Sequence, residues 1–488
     1  MDFEPVIGLE VHAQVLTQSK MFCGCSAEAF GAPPNTHVCP ICLGMPGALP
    51  VINQAAVEAT IMTALALHCE IPEYAKFDRK NYMYPDLLKG YQISQYDLPL
   101  SRNGWLEIES AGVTNRTNSI RRIGIRRVHL EEDTAKLFHD GAGSSLVDVN
   151  RAGVPLMEIV SQPELHSAED VKQYAAALRQ ILRYIGVSSG DMEKGALRIE
   201  PNISLRPRGS SELSATRTEI KNLNSISAMF HAVEYELARQ EKILRAGGRV
   251  PQETMGWDEA RGVTVPQRSK EEAHDYRYFP EPDLPRLHVT REWVSELQAR
   301  LPELPQQKRA RYMSELGLSA YDAGVLSAER AVAGYFDASV LAGKEKNVSP
   351  KAISNWLTGE IFARLEGDIA ALKILPAQLV GLIARINDQT ISSTQAKTVL
   401  IEMMATGQDA DTIIKTKGLA QVSDRTPIEA AAQQVIDANP AQVQTYLNGK
   451  EAVLNYLVGQ LMKATKGQAN PALAREIMTD ILERIKNE

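Results

Sequence analysis

The sequence changes character at about residue 291, and this change constrains the fold more than any other feature. Before it, short stretches of alternating apolar and polar side chains are interrupted often by glycine and proline, as strands joined by turns would be. After it, apolar side chains recur at helical spacing between short turns. We therefore predict an α+β fold. A large mixed α/β domain at 1–290, mostly antiparallel sheet with helices, precedes an all-helical domain at 291–408 and a small helical tail domain at 409–488.

Periodicity predicts individual elements in the first domain. In the segment 6–15, apolar side chains alternate with Glu10, His12 and Gln14, which places these three on the polar face of a strand. Ser167 is the expected N-cap of a helix that ends before Gly186. Further strands are predicted at 119–128 and 197–205, further helices at 54–67 and 225–246, and a loop-rich stretch from there to Pro285.

Charge and composition exclude several classes of protein. The chain has 53 basic and 60 acidic residues, so it does not bind nucleic acid through bulk charge, and any such contact is local. The tail from residue 411 is neutral, which makes it the part least repelled by a polyanion. No apolar run is long enough for a membrane span, the start does not resemble a signal peptide, and five cysteines do not form a disulfide framework. We expect a protein of the reducing cytoplasm with no membrane contact.

Four of the five cysteines form two closely spaced pairs. Cys23 and Cys25 are separated by one residue, and Cys39 and Cys42 by two. Four thiolates on two such turns can close a tetrahedral structural Zn²⁺ site, and the glycine- and proline-containing loop between them has no core of its own. The alternative is four cysteines without metal, some of them buried. Cys69 is expected to be a packed core residue.

Acidic residues in three strand-like segments are candidates for a second metal. Glu10 and His12 share one strand face, and further carboxylates follow in His129–Asp133 and Thr218–Asn222. Carboxylates and an imidazole would suit Mg²⁺, which often works beside a phosphate. The spacing alone does not show that these groups converge, and side chains on the polar face of a half-buried strand commonly face solvent.

Common catalytic motifs are missing from the chain. It contains no phosphate-binding loop of the G-x-x-x-x-G-K-[ST] type, no convincing dinucleotide-binding glycine motif and no G-x-S-x-G turn. If it uses ATP, the site is unusual. If it needs a serine or cysteine nucleophile to release ammonia or an acyl group, we expect that nucleophile on another chain. The stretch from Lys76 to Tyr96 is rich in charged, amide and tyrosine side chains. Such a stretch can line a polar cavity or stack on RNA bases, or it is a solvated loop with packed tyrosines.

Long segments spread over the whole chain resemble one family, the B subunit of the tRNA-dependent amidotransferase. They are VIGLEVHAQV at 6–15, KFDRKNYMYPD at 76–86, KGYQISQYD at 89–97, HLEEDTAK at 129–136, DVNRAGVPLMEIV at 148–160, GALRIEPNISLRP at 195–207, EIKNLNS at 219–225, DYRYFPEPDLP at 275–285 and GQLMKATKGQANP at 459–471. The resemblance implies that the first domain is the family's cradle domain and that the tail domain contacts tRNA.

The resemblance also implies an activity with its cofactors and partners. Such a protein converts Glu-tRNA(Gln) or Asp-tRNA(Asn) into the amidated form, using Mg²⁺ and ATP to activate the side-chain carboxylate as an acyl phosphate. Ammonia would arrive through a channel from a glutaminase, the amidase A subunit, and a small C subunit would brace the pair. A non-discriminating aminoacyl-tRNA synthetase is a further expected partner.

Site residues follow from the resemblance by position. His12, Glu132 and Glu219 match metal-ligand positions, and Glu10 is the adjacent catalytic carboxylate. The remaining expected roles are nucleotide or substrate contact for Lys80, Asn81 and Arg151, and the ammonia channel for Lys89 and Tyr91. Glu200 stands where the family more often has aspartate, so its role is left open.

Two other functions remain open at this point. The chain could be a non-catalytic tRNA-binding scaffold of the same complex, with all chemistry in a partner. It could also be a zinc-knuckle RNA-binding protein without enzymatic activity. Acidic residues on strand faces favour the catalytic hypothesis over both.

Overall fold

The computed structural model describes residues 2–110, 119–139, 143–211, 216–269, 276–420, 425–465 and 468–487. Asp275, Lys466 and Gly467, which belong to the resembling segments, lie outside the described residues. The chain divides into two compact units, Met1–Leu304 and Pro305–Glu488. The first holds a large mixed sheet with helices and the second is helical, which confirms the predicted α+β class.

The strands of the described residues all lie in the first unit. In chain order they are β1 (Phe3–Gln14), β2 (Tyr74–Ala75), β3 (Asp78–Asn81), β4 (Tyr91–Ser94), β5 (Ser101–Ser110), β6 (Ser119–Glu132), β7 (Lys136–His139), β8 (Ser145–Asp148), β9 (Pro155–Ser161), β10 (Leu197–Pro207), β11 (Thr218–Lys221), β12 (Glu253–Asp258), β13 (Val263–Ser269), β14 (Phe279–Pro280) and β15 (Leu287–His288).

Eight of these strands form one sheet in the order β13-β12-β11-β10-β1-β9-β6-β5. All neighbours are antiparallel except β11 and β12. The prediction of a loop-rich stretch up to Pro285 is wrong where β12 and β13 form. Pro266 lies in β13, and this strand is at the edge of the sheet, where a missing N–H is tolerated.

The α-helices occur in both units, and α1–α4 begin in the first. In chain order they are α1 (Gln54–Ala66), α2 (Ala168–Tyr184), α3 (Ile226–Arg245), α4 (Arg291–Arg300), α5 (Pro305–Ser314), α6 (Ala320–Ser327), α7 (Arg330–Glu345), α8 (Pro350–Trp356), α9 (Pro376–Asn387), α10 (Ser393–Thr406), α11 (Ala410–Lys417), α12 (Arg425–Ala438), α13 (Pro440–Leu447), α14 (Val453–Ala464) and α15 (Pro471–Asn487). Among the described residues, no helix combines the length and apolar character needed to cross a membrane.

The large sheet has one apolar and one polar face, and this asymmetry positions the site. Along β1, Leu9 and Val11 are buried, whereas Glu10 and His12 are only half-buried. Helix α2 packs against β5 and α3 against β10, so the helices cover the apolar face and complete the core. Ser167 caps α2 as predicted, its side chain accepting a hydrogen bond from the backbone N–H of Asp170. The opposite face is left to polar side chains.

The described part of the second unit contains two separate hydrophobic cores. One is built from side chains between Tyr312 and Ile414, and the other from side chains between Ile428 and Leu482. Helix α11 contributes Ile413 and Ile414 to the first of these cores. The predicted boundary at 408–409 precedes α11 and stays a prediction.

Candidate active site

The polar face of the sheet lines a cavity of about 1000 Å³. Strand register places four polar side chains in one row across this face, because antiparallel partners project to the same side. The row runs from His129 on β6 to Glu158 on β9, His12 on β1 and Arg198 on β10. Elements far apart in the chain therefore contribute neighbouring side chains to one surface.

His12, Glu131 and Glu158 form the first group that could hold a metal ion, with ligand atoms all within 4.8 Å of one another. Nε2 of His12 lies 3.5 Å from a carboxylate oxygen of Glu131 and 3.6 Å from one of Glu158. His129 lies behind them, its Nε2 3.2 Å from Glu158, and its Nδ1 is buried without a hydrogen-bond partner among the described residues. An imidazole beside two carboxylates is a donor set that divalent cations accept.

The histidines and carboxylates of this group shift one another's pKa values. Burial alone would lower the pKa of His12, but the hydrogen bond and charge of Glu158 raise it to about 9. Burial would raise the pKa of Glu158, yet His129 and His12 hold it well below its ordinary value. Without a bound cation, a proton on His12 therefore supplies the positive charge that the carboxylates require.

Glu10, Glu200 and Glu219 form a second acidic group, also with oxygens within 4.8 Å of one another. Nζ of Lys221 lies 3.1 Å from Glu200 and 3.4 Å from Glu219. Burial and the charges of Glu158 and Glu219 raise the pKa of Glu10. Arg217 also lies 3.9 Å from Glu10, so two cationic side chains compensate part of the negative charge of the three carboxylates.

Two neighbouring polar side chains orient the second group. Nδ2 of Asn202 donates to Oε1 of Glu10 at 3.2 Å, and the hydroxyl of Thr254 donates to Oε2 of Glu219 at 3.1 Å. Glu200, whose role the sequence left open, lies directly opposite Glu10 on β10. Its carboxylate is therefore a member of the site.

Glu132 is placed differently from the prediction. Its carboxylate contacts Nζ of Lys89 and accepts a hydrogen bond from the backbone N–H of Ile93 at 3.0 Å. The structure therefore brings His12 and Glu219 to the large cavity but does not bring Glu132 to His12 there. Glu132 instead lines a second cavity of about 210 Å³, together with Lys89 and Tyr91.

The sequence contained a signal for Glu131 and Glu158 that position-by-position resemblance missed. On β6, Val128 and Leu130 are buried in the core, so His129 and Glu131 must project to the opposite face. Glu158 stands alone in the apolar run of β9 and projects away from the core for the same reason. The available signal was a charged residue between two apolar residues of a strand, because such a residue projects away from the core.

The three residues predicted to contact nucleotide or substrate have different positions. Lys80 lines the large cavity, and although burial alone would lower its pKa, the charges of Glu131, Tyr278 and Glu158 raise it. The side chain of Asn81 donates to the backbone carbonyl of Arg277 at 2.8 Å. Lys80 is thus brought to the site, whereas Asn81 orients the segment beside it.

Arg151 supports the cavity wall. Its guanidinium donates to the backbone carbonyls of Thr134 and Ala135, each at 2.9 Å, and lies 3.7 Å from Asp133. Arg198 also pairs with Asp133, at 3.0 Å. Burial would raise the pKa of Asp133, but these two guanidinium groups keep it below its ordinary value. Direct nucleotide contact by Arg151 stays a prediction.

The four paired cysteines converge as their spacing predicted. The Sγ atoms of Cys23, Cys25, Cys39 and Cys42 all lie within 4.8 Å of one another. A hydrogen bond from the Cys23 thiol lowers the pKa of Cys42 to about 4, whereas burial raises that of Cys25 to about 11. The cluster therefore stabilises thiolate character in part, and the donor set fits Zn²⁺.

Comparisons with known proteins agree over the whole chain. The GatB/GatE catalytic domain family matches residues 5–295, and the GatB domain family matches residues 335–482. Two similar proteins are both named as the B subunit of aspartyl/glutamyl-tRNA(Asn/Gln) amidotransferase. The one from Caldicellulosiruptor saccharolyticus is 52% identical, covering 99% of this chain and 100% of its own length. The one from Carboxydothermus hydrogenoformans is 49% identical with the same coverage.

Proposed function

The chain belongs to the family of aspartyl/glutamyl-tRNA(Asn/Gln) amidotransferase B subunits, and on this basis we propose that it carries out ATP-dependent transamidation of misacylated tRNA. The substrate is Glu-tRNA(Gln), Asp-tRNA(Asn) or both. The side-chain carboxylate of the tRNA-borne amino acid is phosphorylated and then amidated. The chain is the B subunit of a carbon–nitrogen ligase complex.

One observation carries this proposal: two acidic groups, one of which contains His12, lie on one sheet face and line the same cavity. The groups are His12 with Glu131 and Glu158, and Glu10 with Glu200 and Glu219. Burying carboxylates this close together is unfavourable unless cations compensate them. A scaffold that only bound tRNA would not benefit from these carboxylates, since their negative charge would repel the phosphates of the tRNA.

Both acidic groups fit Mg²⁺, the first through His12, Glu131 and Glu158 and the second through Glu10, Glu200 and Glu219. This proposal places Glu131 and Glu158 at the first group, where Glu132 was expected. The fit rests on the donor set of each group, and the pKa of Glu10, raised by burial and then by the charges of Glu158 and Glu219, is consistent with it. When bound, Mg²⁺ would supply positive charge that offsets the negative charge developed during phosphoryl transfer.

The chain's own residues orient the reaction around these groups. Lys80 extends into the cavity as a charged ammonium group and can bind a phosphate oxygen. Lys221 bridges Glu200 and Glu219 and so holds their carboxylates in place when the substrate carboxylate approaches. The ion pairs of Asp133 with Arg198 and Arg151 fix the wall of the large cavity.

The second cavity fits a passage for ammonia. Lys89 and Glu132 form an ion pair in it, and the ring of Tyr91 lies under the ammonium group, 5.7 Å from Nζ to the ring centroid. Such a pair presents hydrogen-bonding groups to a small neutral molecule such as ammonia. We assign these three residues to the channel through which ammonia from a glutaminase partner reaches the site.

Zn²⁺ would be structural in this protein. Four cysteine ligands complete a tetrahedral shell and leave no position for substrate. Cys23 and Cys42 line the small cavity, so the cluster also shapes that wall. The ammonium group of Lys20, fully buried, donates to the backbone carbonyls of His37 and Val149 at 2.8 and 3.2 Å and stabilises the surrounding loop.

The proposed partners are those that the reaction requires. Membership of this family implies a complex with other subunits and with tRNA. We propose an amidase A subunit as the ammonia source, a small C subunit, misacylated tRNA(Gln) or tRNA(Asn), and a non-discriminating aminoacyl-tRNA synthetase that supplies the misacylated tRNA. The tail domain would contact the tRNA, and the compartment would be the cytoplasm.

An amidation assay tests the proposal. The purified complex is given ATP, Mg²⁺, glutamine and each misacylated tRNA in turn, and the tRNA-borne amino acid is identified. We expect ATP-dependent conversion of glutamate to glutamine or of aspartate to asparagine. Conversion that persists unchanged when the carboxylates of both acidic groups are replaced by amides would leave only a scaffold role for the chain.

A further inference from the structure

A cluster of tyrosines forms one wall of the large cavity, and the functions assigned so far do not use it. Tyr82, Tyr276 and Tyr278 line the cavity, opposite in character to its acidic floor. The rings of Tyr276 and Tyr278 meet edge to face with centroids 6.1 Å apart, and those of Tyr82 and Tyr276 do so at 5.8 Å. We call these three residues the tyrosine wall.

The wall is held in place from behind. Tyr96 stacks on Tyr278 with centroids 4.4 Å apart and an interplanar angle of 11°. The backbone N–H of Asn81 donates to the carbonyl of Tyr276 at 2.9 Å, and its side chain binds the next carbonyl, that of Arg277. Strand β3 thus anchors the segment that carries two of the three rings. A fixed aromatic surface loses little entropy when a planar ligand packs on it.

A cation lies between the wall and the acidic floor. Nζ of Lys80 is 5.0 Å from the ring centroid of Tyr276 and 6.0 Å from that of Tyr82. The charges of Glu131 and Glu158 act on the same ammonium group. A ligand with a flat aromatic part and phosphates could therefore pack its aromatic part on the tyrosine wall and place its phosphates near Lys80 and the carboxylates.

We propose that the tyrosine wall binds an adenine base by stacking, with the attached phosphate beside Lys80. This inference rests on the proposed function, which brings two adenosines to the cavity: that of ATP and the 3′-terminal adenosine of tRNA. Stacking on aromatic side chains is a general way to hold a nucleobase. The shared chemistry is adenine, and the two sources are separated by experiment.

The test uses the whole complex and equilibrium binding to four ligands. They are Mg·ATP, inorganic tripolyphosphate with Mg²⁺, uncharged tRNA, and the same tRNA lacking its terminal adenosine. The variants are Tyr278→Ala and Tyr278→Phe. The matched control is Tyr74→Ala, because Tyr74 also stacks on another ring, that of His288, but does not line the cavity.

Stacking of one base is worth roughly a 5- to 150-fold change in affinity. If ATP supplies the base, Tyr278→Ala weakens Mg·ATP binding by a factor in this range and leaves tripolyphosphate unchanged. If tRNA supplies it, the loss occurs with intact tRNA and is absent with the shortened one. Tyr278→Phe and Tyr74→Ala stay near the wild type in both cases.

Two results would overturn the inference. One is that Tyr278→Ala changes the affinity for Mg·ATP and the affinity for tRNA by no more than Tyr74→Ala does, or that it weakens binding of tripolyphosphate as much as binding of ATP. The other result needs no variant. If the wild-type complex binds ATP no better than tripolyphosphate and binds both tRNAs equally well, adenine contributes nothing to binding. A wild-type complex that does not amidate tRNA contradicts the proposed function instead, so the two failures are distinguishable.

Discussion

His12 on β1 and Glu158 on β9 are direct cross-strand partners, with Nε2 of the histidine 3.6 Å from a carboxylate oxygen of the glutamate. Glu131 approaches the same imidazole from β6 at 3.5 Å. Three strands separated by long stretches of chain thus meet at one imidazole. The register of the central strands therefore determines the site, since a slip of any one strand by one residue would turn its side chain towards the apolar core.

Replacing Glu131 tests the composition of the first acidic group. We expect Glu131→Gln to lower ATP-dependent amidation by roughly 100-fold or more, because the loss of a preorganised charged group at a reacting phosphate has costs of this order. Glutaminase activity of the partner should persist. The control is Glu58→Gln, which removes a carboxylate paired with Arg300 on the surface. Equal amidation rates for the two variants would remove Glu131 from the site.

Glu132 provides a contrasting variant one residue away. Because Glu132 pairs with Lys89 in the small cavity, Glu132→Gln should impair delivery of ammonia more than activation of the carboxylate. We expect glutamine-dependent amidation to fall more than amidation driven by added ammonium salt. The ratio of these two rates in the purified complex is the measurement. A variant that loses both rates in proportion would place Glu132 with the phosphoryl-transfer groups.

The difference between Glu131 and Glu132 shows how far the sequence alone could lead. Alternation along β1 correctly predicted which side chains share the polar face, since that pattern is local. The order of the sheet was not predictable in the same way, because pairing of β1 with β9 and β10 depends on side chains far away in the chain. Resemblance identified the acidic segment of β6, but only the alternation of Val128 and Leu130 distinguishes the two adjacent glutamates. The convergence of the four paired cysteines was predictable because each pair is close in sequence, so that its two thiols are close in space.

The raised pKa of His12 predicts the pH dependence of Mg²⁺ binding. The folded-state pKa of about 9 exceeds the ordinary value of 6.5, so the charged imidazole stabilises the metal-free protein fully below about pH 6.5. That contribution is lost as the pH rises through 9. A metal needs the neutral imidazole, so Mg²⁺ binding must release this proton. We expect the affinity to rise by about tenfold per pH unit between about pH 7 and 9.

Calorimetry in buffers of different ionisation enthalpy would measure the protons released on Mg²⁺ binding. His12→Gln supplies the comparison: its amide does not titrate, so Mg²⁺ binding at the first acidic group should be weak and independent of pH in this range, while the second group keeps all its carboxylates. Wild-type affinity that is equally flat would show that the imidazole is not a ligand.

Removal of Zn²⁺ should destabilise the first unit without directly removing catalytic groups. The cluster holds a loop between Cys25 and Cys39, and structural zinc contributes folding free energy directly. We expect chelation, or Cys25→Ser, to lower the melting temperature of the complex and to reduce amidation in parallel with the folded fraction. Cys69→Ser, which alters a cysteine outside the cluster, should retain zinc by elemental analysis. Loss of RNA binding at full stability would favour a zinc-dependent RNA-binding role.

Truncation tests where the tail domain begins. Deleting everything after residue 424 removes the core of Ile428–Leu482 but leaves α11. Deleting everything after residue 409 also removes Ile413 and Ile414, which are buried in the preceding core. Loss of one buried isoleucine side chain typically costs about 2–5 kcal/mol, so the shorter protein should melt at a clearly lower temperature.

Both truncated proteins should bind tRNA more weakly, because both lack the tail, and the difference between them should be confined to stability. Hydrogen bonds from Asn470 to Gln389 and from Gln468 to Gly418 join the two helical regions, and both truncations remove them. Their loss should cost little stability, because a single hydrogen bond contributes only about 0.5–1.5 kcal/mol. Equal melting temperatures for the two proteins, measured in complexes of the same composition, would instead place α11 with the tail and support the boundary at 408–409.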